Sequence, residues 1–395
     1  MKTLYEYYRD REMLPTFAGF EDETQLLRYE AMRERVLCDR LNLPRQVFAG
    51  GRVLDYGPDT GEDALVFARW GAQLTLVEPN ELAHATIRSY FERFGLASSI
   101  ENLVKADVLT YADARPHDVV VAEGFIYTVQ PTRAWLEAFH QRLRADGFLL
   151  VNYYERFGAF VELCLKALHA AFRRMNGLEP VESAHLLYEA KWNSIPHTRK
   201  FESWVFDVLE NPFVRAGYLI DAAAMLREAA DVGFELYSSF PVYRDPLIMG
   251  WHKAPIDPQR ALEQSISHIE RSVLSFLIGK KLYLARAHEA EQAHVVAHEL
   301  VSGVDALVER DDAESYAQVA AGFDALGAAA SELEMVADDD DRAEAARTLD
   351  ALARAFALAA SGDREGLARH AQADQAFIAA WGVPTHFAVA RARGA

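Results

Sequence analysis

Cysteine is nearly absent: Cys38 and Cys164 are the only two in 395 residues. Two thiols cannot build a disulfide framework, and no Cys-rich zinc pattern can be drawn from them. A reducing compartment is therefore expected. The opening residues MKTLYEYYRDREML hold no apolar stretch of the kind a signal peptide needs. No apolar run approaches the ~20 residues of a membrane span. A cytoplasmic protein with no membrane partner is the expectation. Positive charge is also in deficit, with 41 basic residues against 59 acidic ones and a net charge of −18. Nucleic-acid backbones are held by positive surfaces, so no nucleic-acid partner is expected. An anionic membrane surface is disfavoured for the same reason. Arg142, Arg144, Lys166, Arg173 and Arg174 come nearest to a basic patch and read as solvated helix faces.

The chain is long enough for two or three domains and for a sizeable core. Residues 1–46 read as an N-terminal helical segment, interrupted at Pro15 and Gly19 and closed by Pro44. From residue 52 short apolar runs alternate with helical patterns. Strands are expected at 52–57, 73–79, 103–107, 117–124 and 148–154, with helices at 61–71, 82–95 and 132–147 between them. That alternation predicts an α/β domain with a parallel sheet covered on both faces. A helix over 158–175 and an aperiodic aromatic stretch to 218 then interrupt the rhythm, so 155–220 is read as a helical insert on the substrate side. A helix at 221–233 and strands at 234–240 and 245–253 finish the sheet, giving a core domain over 47–253. Residues 259–395 are alanine-rich and are expected to form an all-α C-terminal domain. Asp338 to Asp341 read as a helix start, because acids favour the first turn.

The most informative stretch is VLDYGPDTGEDALVFARWGAQLTLVEPN, residues 53–80. A strand runs into a loop holding Gly57 and Gly61, and a helix follows at once. Glycines allow a tight turn and close approach of backbone to ligand, and a helix N-terminus can meet a polar group. The next strand ends in Glu78, followed by Pro79, 21 residues after Gly57. A carboxylate there can accept from both hydroxyls of a ribose. Asp107 and Val108 at the next strand end suit an adenine, one accepting from its amine and the other covering its ring. A dinucleotide fingerprint is not met. Its glycine positions fall on Gly57, Asp59 and Glu62, and Glu62 would lie beside a pyrophosphate.

Val53, Leu54, Asp55, Tyr56, Gly57, Pro58, Asp59, Thr60 and Gly61 resemble the first motif of the class I S-adenosylmethionine-dependent methyltransferases. The one departure is Asp59 where the family has its middle glycine; Asp tolerates left-handed backbone better than most residues. The likeness implies a Rossmann-like sheet of about seven strands and S-adenosyl-L-methionine as cofactor. It implies that the loop 55–61, with Asp55, Gly57, Pro58 and Gly61, meets the methionine part. Glu78 would hold the ribose and Asp107 the adenine, while Glu123 and Gly124 would lie under methionine or substrate.

No motif names the methyl acceptor. EGFIYTV (123–129) stands where enzymes that methylate bases or glutamine amides carry an Asn/Asp-Pro-Pro-Tyr-like signature. A small polar metabolite methylated at N or O is the favoured acceptor. The alternatives are a protein or carrier-bound substrate, or a catalytically silent cofactor-binding regulator. The insert carries His185, Tyr188, Lys191, Trp192, His197, Arg199, Trp204 and Phe206, and the acceptor site is expected there. Among these His197 is the candidate general base, with Glu123 as an acceptor-orienting carboxylate. His288, Glu291, His294 and His298 have helical spacings that could suit a metal, but no second Glu-x-x-His faces them, and they read as solvated. The small side chains of the tail gain from a partner surface, so a homo-oligomer, most simply a dimer, is expected.

Overall fold

The computed structural model describes residues 3–15, 18–113, 115–196, 199–245 and 257–394. The chain divides into two compact units. The first comprises Met1–Tyr153, Ala223–Ser265 and His386–Ala395, and the second Tyr154–Ala222 and Ile266–Thr385.

The first unit is built on a seven-stranded sheet. Strands β1 (Arg52–Tyr56), β2 (Gln73–Val77), β3 (Ile100–Val104), β4 (His117–Glu123), β5 (Leu143–Tyr154), β6 (Phe234–Phe240) and β7 (Thr385–Ala392) lie in the order β3-β2-β1-β4-β5-β7-β6. Pairings from β3 through β5 are parallel, and β6 pairs antiparallel with β7. Strand order reverses between β1 and β4, which places a ligand crevice beyond their carboxyl ends. Val53, Leu74, Leu76, Val119 and Val121 are buried in the core. Helix α3 (Glu62–Arg69) adds Leu65, Val66 and Phe67 to it, and the Phe67 ring stacks on Phe48 at 4.9 Å.

Before the sheet come α1 (Leu4–Arg9) and α2 (Glu23–Glu34). Asp22 caps α2 by accepting from the Gln25 amide at 2.9 Å. Leu26 of α2 is fully buried, while Glu30 accepts from Arg69 at 2.8 Å and from the Trp70 indole at 2.9 Å. The N-terminal helices thus belong to the core of the sheet unit. Helix α4 (Glu81–Arg93) follows β2, and α5 (Thr132–Arg142) precedes β5.

Two expectations about strands change. The helix expected to run to Gly147 ends at Arg142, and β5 begins at Leu143, pairing with His117. The seventh strand is β7, from the end of the chain. Of the stretch 245–253 only Asp245 is among the described residues. In β7, His386, Ala388, Ala390 and Ala392 are buried at a period of two. That is a strand signal, masked by an alanine content that reads as helix.

The second unit is mostly helical, with one short antiparallel pair, Tyr283–Leu284 on Met335–Val336, so the tail is not all-α as expected. Helices Ala287–Leu307, Ala313–Glu332 and Asp339–Ala360 form its long elements, and Phe160–Asn176 and Pro180–Trp192 of the insert join it. Insert and tail are therefore grouped in one unit, whereas the sequence reading kept them apart. Arg215 pairs with Asp305 at 2.8 Å and Glu309 at 2.5 Å. Lys191 is fully buried and donates to the carbonyls of Phe377 at 2.8 Å, Ile378 at 3.3 Å, and Ala380. Burial pushes its ammonium down to about 7. The acidic run is a helix start: Asp338 caps the helix by accepting from the Asp341 amide at 2.7 Å. Among the described residues no helix is long and apolar enough to cross a membrane.

Candidate cofactor site

The crevice is made by the loop between β1 and α3. Gly57, Asp59 and Gly61 all take positive φ, at 64°, 46° and 89°. Asp59, at the position of the missing glycine, therefore accepts the left-handed conformation the loop requires. Its amide donates to Glu78 Oε2 at 3.1 Å, and the Asn80 amide donates to Oε1 at 2.7 Å. Glu78 ties the glycine loop to the turn after β2. It is 5% exposed, and burial pushes its titration up to about 8, helped by the charge of Asp59 and opposed by the two amides.

Gly57 is the tightest point. A Cβ built there would lie 2.7 Å from the Phe125 ring. Left-handed backbone costs a residue with a Cβ about 1–2 kcal/mol, and the ring contact adds to it. Gly57→Ala is therefore expected to loosen the loop. Hydrogen exchange at the Asp59 and Thr60 amides should be faster and cofactor binding about tenfold weaker; unchanged exchange would contradict this account of the loop.

Asp55 is the last residue but one of β1, next to that turn. It is 3% exposed, and its Oδ2 has no hydrogen-bond partner. Burial raises its titration well above the ordinary carboxylate range, and the nearby charges of Asp63 and Glu123 add to the shift. Glu62 at the start of α3 accepts from the Ala18 amide at 2.8 Å and the Thr60 hydroxyl at 2.5 Å. Burial lifts it to about 7. Glu123 ends β4 with its Oε2 taken by Arg33 of α2 at 2.8 Å. Gly124 has φ 82° and donates to Asn152 Oδ1 at 2.5 Å. Pro58 is buried within the loop, and Pro79, half-buried, sits between Glu78 and Asn80 in the turn after β2.

Asp107 is exposed and closes its own turn, its Oδ1 accepting from the Leu109 and Thr110 amides at 3.0 Å each. Val108 beside it is 5% exposed. His197 lies outside the described residues. Within the second unit, Tyr188 donates to the Leu165 carbonyl at 2.7 Å, and Trp192 and Trp204 pack 5.5 Å apart. Arg199 pairs with Asp207.

The geometry brings together Asp55, Gly57, Gly61, Glu78 and Glu123, and it adds Arg33, which no spacing in the sequence connects to them. Asp55, Asp59, Glu62, Asp63, Glu78 and Glu123 crowd the crevice around the single Arg33 cation, and a ligand carrying a sulfonium and an ammonium would favour the ionised form of the carboxyls that burial raises. The unpartnered Asp55 oxygen fits such a ligand too. S-adenosylmethionine in that position supplies an electrophilic methyl.

Strand order, glycine loop and acid pattern define a class I S-adenosylmethionine-dependent methyltransferase domain. The family described as "Methyltransferase domain" matches residues 29–239, more than half of the chain, and the chain belongs to it. No curated protein matches significantly. Among solved structures, the chain is similar to a putative sarcosine dimethylglycine methyltransferase from Galdieria sulphuraria, with 9% identity over 99% of this chain and 98% of that one, TM-score 0.38. It is similar to the [4+2]-cyclase SpnF at 13% identity, over 93% and 81% of the two chains, TM-score 0.37. The N-methyltransferase NodS from Bradyrhizobium japonicum WM9, in complex with S-adenosyl-L-homocysteine, shares 16% identity over 39% and 74%, TM-score 0.29. The match spans about half the length of two further structures, at 48% and 52%.

Proposed function

We propose that this protein transfers the methyl group of S-adenosylmethionine to an N or O atom of a small polar metabolite. The observation that carries the reading is the ordered acid set at the strand ends, Asp55 with its unpartnered oxygen and Glu78 bound to two loop amides. In-line attack on the sulfonium methyl needs alignment above all. Glu123 orients the acceptor in this reading, and His197 is the general base. Methyl-labelled S-adenosylmethionine incubated with protein and a cell extract should put label into the low-molecular-mass fraction. Label confined to protein would favour the macromolecular alternative, and cofactor binding without any transfer would favour a silent regulator.

Binding should depend on pH with a defined sign. Ribose hydroxyls donate to the ionised form of Glu78, whose ligand-free titration lies at about 8. Affinity for S-adenosylhomocysteine is therefore expected to rise from pH 6 to 8 and then level off. The raised carboxyl also makes the ligand-free fold lose stability as pH climbs from 4.5 toward 8, because the folded state binds the extra proton there. A flat calorimetric profile would remove Glu78 from ribose recognition.

We further propose a twofold homodimer, the commonest closed assembly. Light scattering at micromolar concentration should give twice the chain mass; a monomer mass alone would refute it.

A further inference from the structure

Helix α2 places two side chains four residues apart, Tyr29 and Arg33, on Asp63 of α3, and Arg33 also on Glu123 at the end of β4. Arg33 is a buried guanidinium whose Nη2 donates to Glu123 Oε2 at 2.8 Å and whose Nε lies 2.8 Å from Asp63 Oδ1. Tyr29 donates to the same Asp63 oxygen at 2.9 Å. The other oxygen of Glu123, Oε1, is buried without a hydrogen-bond partner, as is Asp55 Oδ2. Asp63 comes from α3, Asp55 from β1, and Asn152 of β5 is the strand partner of Glu123. Three carboxyl groups thus face one guanidinium.

We propose that Arg33 is a positioning residue for methyl transfer: by bridging Glu123 and Asp63 it draws Glu123 toward its carboxylate form, with one oxygen open to accept a hydrogen bond from the acceptor. The inference rests on the methyltransferase reading above. In the step it serves, the acceptor's N–H or O–H donates to Glu123, which orients it, and its proton leaves to the general base of that reading. The acceptor's electron pair forms the new bond to the methyl carbon as the C–S bond breaks, and the sulfur leaves as the neutral thioether. Two carboxylates in contact cannot both stay ionised without a cation between them. Arg33 supplies that cation from outside the sheet, which gives the N-terminal helix a part in the chemistry beyond packing. Burial raises the Glu123 carboxyl and Arg33 opposes that rise.

The test compares wild type with Arg33→Lys, Arg33→Met and Tyr29→Phe, each also combined with Glu123→Gln. The readouts are the pH dependence of kcat in a transfer assay and the titration of the Glu123 carboxyl followed by infrared difference spectroscopy, with S-adenosylhomocysteine affinity as the control. Arg33→Met should move the acid limb of both profiles up by about one pH unit or more. Arg33→Lys should reverse most of the shift, and Glu123→Gln should abolish it. Tyr29→Phe, which leaves the bridge in place, should shift by less than half as much. If Arg33→Met does not fold, the Arg33→Lys and Tyr29→Phe profiles decide, since a weaker bridge predicts a smaller shift of the same sign. Profiles that coincide with wild type while thermal stability falls would make Arg33 mere packing and overturn the inference. So would a shift that survives Glu123→Gln. Failure of wild type to bind S-adenosylhomocysteine would instead overturn the function reading itself.

Discussion

Replacing Glu78 with alanine should weaken S-adenosylhomocysteine binding by about one to two orders of magnitude. Hydrogen bonds to an ionised group are worth about 1.5–3 kcal/mol, and a ribose offers two hydroxyls to this carboxylate. The substitution acts a second time through the protein. It strips the partner from the Asp59 and Asn80 amides, at 3.1 Å and 2.7 Å, so the glycine loop and the turn after β2 lose their common anchor. Glu78→Gln separates the two effects. Its amide oxygen can still accept one of these bonds, so part of the loop order returns while the charge does not. Calorimetry on both variants should rank affinity as wild type, then Gln, then Ala. Equal affinity across the three would show that Glu78 does not touch the ligand.

The second large effect falls on turnover. Glu123→Gln is expected to lower kcat about 100-fold, through loss of the carboxylate that aligns the acceptor. Affinity for S-adenosylhomocysteine should change little. Glutamine is the informative choice because its oxygen can still accept from Arg33, whereas alanine would leave a buried guanidinium half-compensated and cost stability. His197→Ala belongs in the same series. A base should lose kcat with cofactor affinity intact. If both variants turn over at the wild-type rate, neither residue has the proposed role.

The sheet was legible where each strand is a short apolar run closed by glycine or an acid. RVLDY, QLTLV and HDVVVAE fall within two residues of their expected bounds, because strands buried on both faces read as continuous hydrophobic stretches. Strand β3 was set at 103–107 and lies at Ile100–Val104, since Ile100 and Glu101 look like the end of a turn. At α5 the glycine rule misled. Gly147 looked like a helix stop, but Asp146 takes the left-handed conformation with φ 61°, and Gly147 lies inside β5. Strand β7 was hidden by its alanines and by about 140 residues of intervening chain after β6. In the site, Asp55, Gly57, Gly61 and Glu78 were readable because they sit at fixed offsets from strand ends. Arg33 was not. Its partners Asp63 and Glu123 lie 30 and 90 residues away, and only the docking of α2 on the sheet unit brings them together.

Calorimetric titration of the purified full chain with S-adenosylhomocysteine tests the central claim most directly. The account predicts saturable binding near one ligand per chain, tighter at pH 8 than at pH 6, and weakened by Glu78→Ala. Absence of binding to wild type at millimolar ligand would contradict it.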